Sequence, residues 1–344
     1  METKTVRQLQ WRITPRVAFF ALVLVAFMGF AVPAEAAVGF QRLTYTDSGG
    51  VPVEAGIWYP SEGQETREPL ELYEQDVVRN GPVRGKDLPL VVVSHGTGGS
   101  LAGHFDTALA LAKAGFVVAA LTHPGDNYRD NSRAFNITDR PRQVSELLSF
   151  MLDKWDGHAA ISERRIGAFG FSAGGFTTLA LIGGRYDLRL IEPHCDSHPS
   201  EYTCQLVAAN AASVQATAIL PPGAAGTDAR IRAAVIAAPA LGFTFTQQGL
   251  SDVRVPLLLW RAADDQVLPQ PFYAQAVYDA LPVKPRYVVV PHAGHYDFLA
   301  PCSDALARRV PNICTSEPEF DRAAFHRQFD AAIVDFFNAN LQGK

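Results

Sequence analysis

Residues 166–182 read Ile-Gly-Ala-Phe-Gly-Phe-Ser-Ala-Gly-Gly-Phe-Thr-Thr-Leu-Ala-Leu-Ile. Ile166 to Phe171 is a short apolar run that predicts a buried strand, and Phe176 to Ile182 predicts a helix. Between them, Gly170-Phe171-Ser172-Ala173-Gly174 fits the pattern G-x-S-x-G, in the strand-to-helix context that a nucleophile elbow requires. Such a turn is strained, and side chains two positions from the serine clash in it, so glycine is needed at 170 and 174. It lifts the Ser172 hydroxyl above the sheet. It also points the Ala173 amide and the helix N-terminus at any negative charge that develops there. A chance glycine-serine turn is the competing reading, and the flanking strand and helix weigh against it.

Outward from this turn the pattern repeats. Leu88–Ser94 reads as a buried strand, Thr107–Ala114 as a helix, and Phe116–Leu121 as a second strand. Val144–Trp155 carries Val144, Leu147, Leu148 and Met151 at helical spacing. Ile231–Ala238, Val255–Trp260 and Tyr287–Val290 supply three more strands. Near-continuous apolar strands separated by helices predict an α/β fold, a mostly parallel central sheet with helices on both faces. Phe40–Tyr59 alternates around Ser48-Gly49-Gly50 and predicts an antiparallel hairpin at the sheet edge. Asp321–Leu341 predicts an amphipathic helix packing through Phe325, Phe329, Ile333 and Phe336. Residues 185–230 lack strong periodicity and contain Pro221-Pro222, which predicts an inserted cap on a single domain spanning 37–344.

A serine hydroxyl needs a base to remove its proton. With a nucleophile elbow, an acid and then a histidine are expected downstream. Pro291-His292-Ala293-Gly294-His295 follows the last predicted strand. His295, on the loop leaving the strand end, is the expected base, with His292 the rival. Asp264 and Asp265 follow the Val255–Trp260 strand; Asp265 is the expected acid and Asp264 the expected turn residue. After the first central strand comes His95-Gly96-Thr97-Gly98-Gly99-Ser100, where glycines let backbone approach substrate. Thr97 is assigned the second oxyanion amide beside Ala173, and His95 a structural role. The loop lacks the Lys-Ser/Thr ending of a P-loop and the spacing of G-x-G-x-x-G, so phosphate binding is not expected. His123-Pro124-Gly125-Asp126 is expected to shape the pocket mouth.

Composition sets the compartment and excludes some partners. The chain has 344 residues, 48% hydrophobic and 19% charged, with a formal net charge of -5. Nothing in that mild acidity suggests nucleic acid. Lys4, Arg7, Arg12 and Arg16 precede an apolar run from Val17 to Val32, then Ala34-Glu35-Ala36. That order predicts a secretory signal peptide over residues 1–36, cleaved after Ala36, and no stable membrane anchor afterwards. Export, to a periplasm or the medium, suits the four cysteines, which are expected as two local disulfides, Cys195 with Cys204 and Cys302 with Cys314. A metal on His194, Cys195, His198 and Cys204 is the rival reading; no metal is expected.

Together, Ser94-His95-Gly96-Thr97-Gly98-Gly99, Gly170–Gly175, Trp260-Arg261-Ala262-Ala263-Asp264-Asp265 and Ala293-Gly294-His295 resemble the dienelactone hydrolase-like branch of the α/β-hydrolases, and are similar to platelet-activating-factor acetylhydrolases. The resemblance runs from about Phe40 to Leu341. It implies a Ser172-Asp265-His295 triad, a two-amide oxyanion hole and no cofactor. Dienelactone hydrolases are smaller cytosolic enzymes with a cysteine nucleophile, so the serine and the leader point away from dienelactone itself. The expected activity is cleavage of carboxylic esters, small or lipid-like, through an acyl-enzyme. A peptidase or amidase with the same triad is the alternative, and a binding protein on a hydrolase scaffold is a second.

Overall fold

The computed structural model describes residues 37–210 and 226–341. The predicted leader, residues 1–36, and residues 211–225 of the predicted cap lie outside the described residues. The strands are β1 (Ala37–Thr46), β2 (Pro52–Ser61), β3 (Thr66–Leu70), β4 (Tyr73–Arg79), β5 (Leu88–Ser94), β6 (Val117–Thr122), β7 (Ile161–Phe171), β8 (Ile231–Ala237), β9 (Leu257–Ala262) and β10 (Arg286–Val290). The helices that position the site are α1 (Phe105–Lys113), α2 (Arg140–Asp153), α3 (Ala173–Leu181), α4 (Ile191–Ser197), α5 (Tyr202–Ala209), α6 (Ala274–Ala280), α7 (Asp304–Arg309), α8 (Pro311–Cys314) and α9 (Arg322–Leu341).

The sheet runs β10-β9-β8-β7-β5-β6-β2-β1-β4-β3. From β6 to β10 all neighbours are parallel, and β2 joins β6 antiparallel. Parallel strands joined by crossover helices are covered on both faces, which is why β5 is apolar at successive positions. Leu90 and Val92 face a core shared with Val144, Leu147, Leu148 and Phe176 of α2 and α3. Val91 and Val93 face the opposite core, with Leu111 of α1 and Phe329 of α9. Burying each such side chain contributes roughly 1.5–3 kcal/mol.

The mostly parallel sheet with helices on both faces is the α/β fold expected. Two details differ from expectation. The β1–β2 hairpin is not at the sheet edge, because β4 pairs with β1 and β3 pairs with β4 outside it. On α9 the fourth buried position is Phe337 instead of Phe336, which is only partly buried. With 3.6 residues per turn, the stripe 325, 329, 333, 337 faces the sheet and 336 falls at its margin.

Candidate active site

Ser172 stands at the turn between β7 and α3 with φ 55° and ψ −116°. That backbone is sparsely populated and must be held by its surroundings. Three hydrogen bonds hold it: the Ser172 amide donates to Ala237 O at 3.0 Å, and the Phe176 and Ala240 amides donate to Ser172 O at 3.1 and 2.9 Å. The flanking glycines have a steric cause. A Cβ on Gly170 would sit 2.0 Å from Gly174 O, and one on Gly174 would sit 1.8 Å from Ser94 O.

His295 begins a short 3-10 turn, His295–Phe298, that follows β10. Its Nε2 is 3.1 Å from Ser172 Oγ, and its Nδ1 is 2.8 Å from Asp265 Oδ2. The Phe171 ring packs beside the imidazole at 4.8 Å between centroids. Asp265 Oδ1 accepts the amides of Val267 at 3.0 Å and Leu268 at 2.7 Å. That orients the carboxylate and leaves Oδ2 for the imidazole. Serine oxygen, imidazole and carboxylate thus lie in one hydrogen-bonded series across β7, β9 and β10. The rivals lie outside it. The His292 side chain is 60% exposed and its nearest acidic group is Glu319 at 3.9 Å. Asp264 is exposed, and the turn amides at 267 and 268 bond to Asp265 instead of Asp264.

The loop after β5 packs against the nucleophile: a Cβ on Gly96 would sit 3.2 Å from Ser172 Cβ. Thr97 is exposed, and its amide and that of Ala173 donate to no backbone acceptor among the described residues. Gly98 has φ +69°, a conformation that favours glycine. Beneath the loop lies a buried polar framework. His95 Nε2 accepts the His123 amide at 3.0 Å, so its Nδ1 carries the proton and donates to Gly96 O at 2.6 Å. His123 Nδ1 donates to Gln143 Oε1 at 2.6 Å, and its Nε2 accepts from Ser94 Oγ at 2.9 Å. Burial, reinforced by the nearby Arg140 cation, holds both imidazoles well below their ordinary pKa and neutral. His123 is fully buried and supports the loop from below; it does not stand at the pocket mouth as expected. Ser94, His95 and Gln143 hold it in place there.

Arg140 escaped the sequence reading. It opens α2, its side chain is 2% exposed, and it donates to His95 O at 2.7 Å and Gly96 O at 3.3 Å. Its Nε lies 3.0 Å from Asp126 Oδ2, while Asp126 Oδ1 accepts the Gly98 amide at 2.9 Å. One buried ion pair therefore clamps both ends of the loop. A charged residue beginning an amphipathic helix looks like any solvated helix start, so charge patterning gave no signal.

A cavity of about 850 Å³ opens on Ser172 and His295. Leu188, Ile191 and Leu206 wall it on one side, Leu306, Val310 and Ile313 on another. Each wall carries a disulfide, Cys195–Cys204 between α4 and α5 and Cys302–Cys314 around α7 and α8. His194, from the rival metal set, has its Nε2 3.0 Å from Glu201, which also accepts from the Tyr273 hydroxyl at 2.6 Å. His198 packs against the Phe272 ring at 4.3 Å between centroids.

The sequence model of the platelet-activating factor acetylhydrolase, isoform II, family matches residues 67–175. That interval includes the His95–Ser100 loop and the turn at Ser172, and stops before Asp265 and His295. No curated protein matches the chain. Among solved structures, a ferulic acid esterase from Streptomyces cinnamoneus is similar, with TM-score 0.57 and 20% identity over 91% of this chain and 92% of that one. A cold-adapted esterase from an Arctic intertidal metagenomic library is also similar, with TM-score 0.50 and 15% identity over 89% of this chain and 95% of that one. At such identities the likeness speaks for the fold. The chain therefore shares its fold with these two esterases, and residues 67–175 are similar to the platelet-activating factor acetylhydrolase, isoform II, family.

Proposed function

We propose that this protein is an exported esterase that cleaves carboxylic esters through an acyl-enzyme on Ser172. The observation that carries the reading is the Ser172–His295–Asp265 series, at 3.1 and 2.8 Å. Ser172 Oγ attacks the ester carbonyl as His295 Nε2 takes its proton. Asp265 holds the imidazole tautomer and stabilises the imidazolium. The Thr97 and Ala173 amides receive the oxyanion. His295 then protonates the departing alcohol, and water, activated by the same imidazole, releases the acyl group. No cofactor enters this scheme.

Ester cleavage is favoured by the acetylhydrolase family match and by the esterase activity of the similar structures. The apolar walls suit an uncharged acyl or alcohol group, small or lipid-like. Lining by Leu188, Ile191 and Leu206 supports a cap role for the described residues 185–210. Export is supported by the residue 1–36 pattern and the two disulfides. Among the described residues no helix is long and apolar enough to cross a membrane.

Matched p-nitrophenyl esters of increasing acyl length and the corresponding anilides test this reading. Turnover of esters well above anilides, abolished by Ser172→Ala, is expected. Anilide turnover equal to ester turnover identifies an amidase. Ester turnover that survives Ser172→Ala removes the serine from the mechanism.

A further inference from the structure

The turn carrying His295 is fastened from behind by side chains of the C-terminal region. Asp297, two residues after the imidazole, has its carboxylate 2% exposed. Its Oδ2 accepts the Gly294 amide at 2.8 Å, closing the turn on itself. Its Oδ1 accepts from Arg322 Nε of α9 at 2.9 Å and from the Ser316 hydroxyl, and Arg322 Nη2 lies 2.9 Å away in the ion pair. Arg322 Nη1 donates to Ile313 O at 2.9 Å, which ties the same guanidinium to the cavity wall. The Asp297 carbonyl accepts from His326 Nε2 at 2.9 Å, and His326 Nδ1 donates to Asp106 of α1 at 2.6 Å. A carbonyl and a carboxylate can only accept, so the His326 ring carries both protons. Burial opposes that charge, but the Asp106 and Asp330 carboxylates outweigh it and raise the His326 pKa.

Turn amide, turn carboxylate and turn carbonyl are thus each held by a separate group. None of Asp297, Arg322 and His326 is within the Ser172–His295–Asp265 hydrogen-bond series. Their common effect is on where the peptide at 294–297 sits, and so on where the imidazole can reach. Arg322 also reaches from the turn to the Ile313 carbonyl.

We propose that the Asp297–Arg322 ion pair is a positioning device that sets His295 for proton transfer to and from Ser172. This rests on the reading of His295 as the base. A displacement of about 1 Å in a reacting group costs up to about a hundredfold in rate, whereas neither Asp297 nor Arg322 lines the cavity. The pair therefore acts on kcat and leaves KM alone.

The test uses the whole folded protein, with p-nitrophenyl ester kinetics and thermal unfolding of Asp297→Asn, Arg322→Gln, Arg322→Lys and His295→Ala. Expected are folded Asp297→Asn and Arg322→Gln with kcat down about tenfold to a hundredfold and KM within about twofold. Arg322→Lys, which keeps the charge and one donor, regains part of the loss. A folded Asp297→Asn with wild-type kcat, or a loss confined to KM, overturns the proposal. So does a fall in melting temperature with no change in kcat, the result of a merely structural pair. If Asp297→Asn does not fold, Arg322→Gln decides: it removes the cation from the pair, so a drop in kcat at constant KM supports positioning and an unchanged kcat overturns it. Activity retained by His295→Ala sinks the base assignment and the proposal with it. An inactive His295→Ala beside a normal Asp297→Asn sinks the proposal alone.

Discussion

Asp264 and Asp265 are neighbours with the same side chain, yet the backbone turns one to solvent and the other to His295. That difference yields a prediction. Asp265→Asn keeps the shape but favours the wrong imidazole tautomer, and kcat should fall by roughly three to four orders of magnitude. Asp264→Asn and His292→Ala touch nothing in the series and should stay within about twofold. Steady-state kinetics on one ester checks all three; an Asp264→Asn enzyme as damaged as Asp265→Asn contradicts the assignment. The two aspartates were separable in sequence only by position relative to Val267-Leu268. The feature that decides between them, capture of the 267 and 268 amides by Asp265 Oδ1, exists only once the turn has formed. Ser172 was more legible because steric demand writes itself as glycine at 170 and 174.

Elements whose burial matches their period were readable, and those that mix purposes were not. β5 through β10 announced themselves as apolar runs. β3 and β4 did not: β3 contains Arg67, Glu68 and Pro69, and β4 turns Gln75 inward, where its Oε1 accepts from Trp58 Nε1 at 2.8 Å. An inward glutamine breaks the alternation that marks a half-buried strand. Arg140 is the same lesson on a helix, since its partners Asp126, His95 O and Gly96 O arrive from other elements. Removing it leaves Asp126 charged and buried without its cation. Arg140→Met should therefore cost about 3–5 kcal/mol and loosen the Thr97 loop, read by urea unfolding and by kcat. A variant as stable as wild type would mean that the clamp carries no weight. The disulfides act at this scale too. Closing short loops stabilises by roughly 2–3 kcal/mol each, and Cys302–Cys314 also fixes the wall holding Val310 and Ile313. Replacing that pair by alanines should lower the melting temperature and raise KM for the longer acyl esters. An unchanged KM would detach the wall from binding.

On the scale of the whole molecule, α9 docks the C-terminal region to α1 through a buried titratable cluster. Asp330 accepts from the Thr107 hydroxyl at 2.6 Å, and burial together with the Asp106 charge raises its pKa from 3.8 to about 7. Because the folded protein holds this proton more tightly than the unfolded chain, ionising it costs stability as pH rises from about 4 to 7. His326, also raised, contributes stability that is complete below its unfolded value and is lost as pH climbs through the folded one. Both slopes run the same way. Asp330→Asn should therefore flatten the decline in melting temperature between about pH 4 and 7, and identical slopes for variant and wild type would remove Asp330 from the cause. The central claim concerns the carboxyl ends of β7, β9 and β10, where three segments far apart in the chain meet in one hydrogen-bonded series. Its most direct test is to label the folded protein with a fluorophosphonate and map the adduct by peptide mass spectrometry. A single adduct on Ser172, absent after unfolding and in His295→Ala, is predicted. Folded, ester-cleaving protein with no adduct at Ser172 would contradict the account.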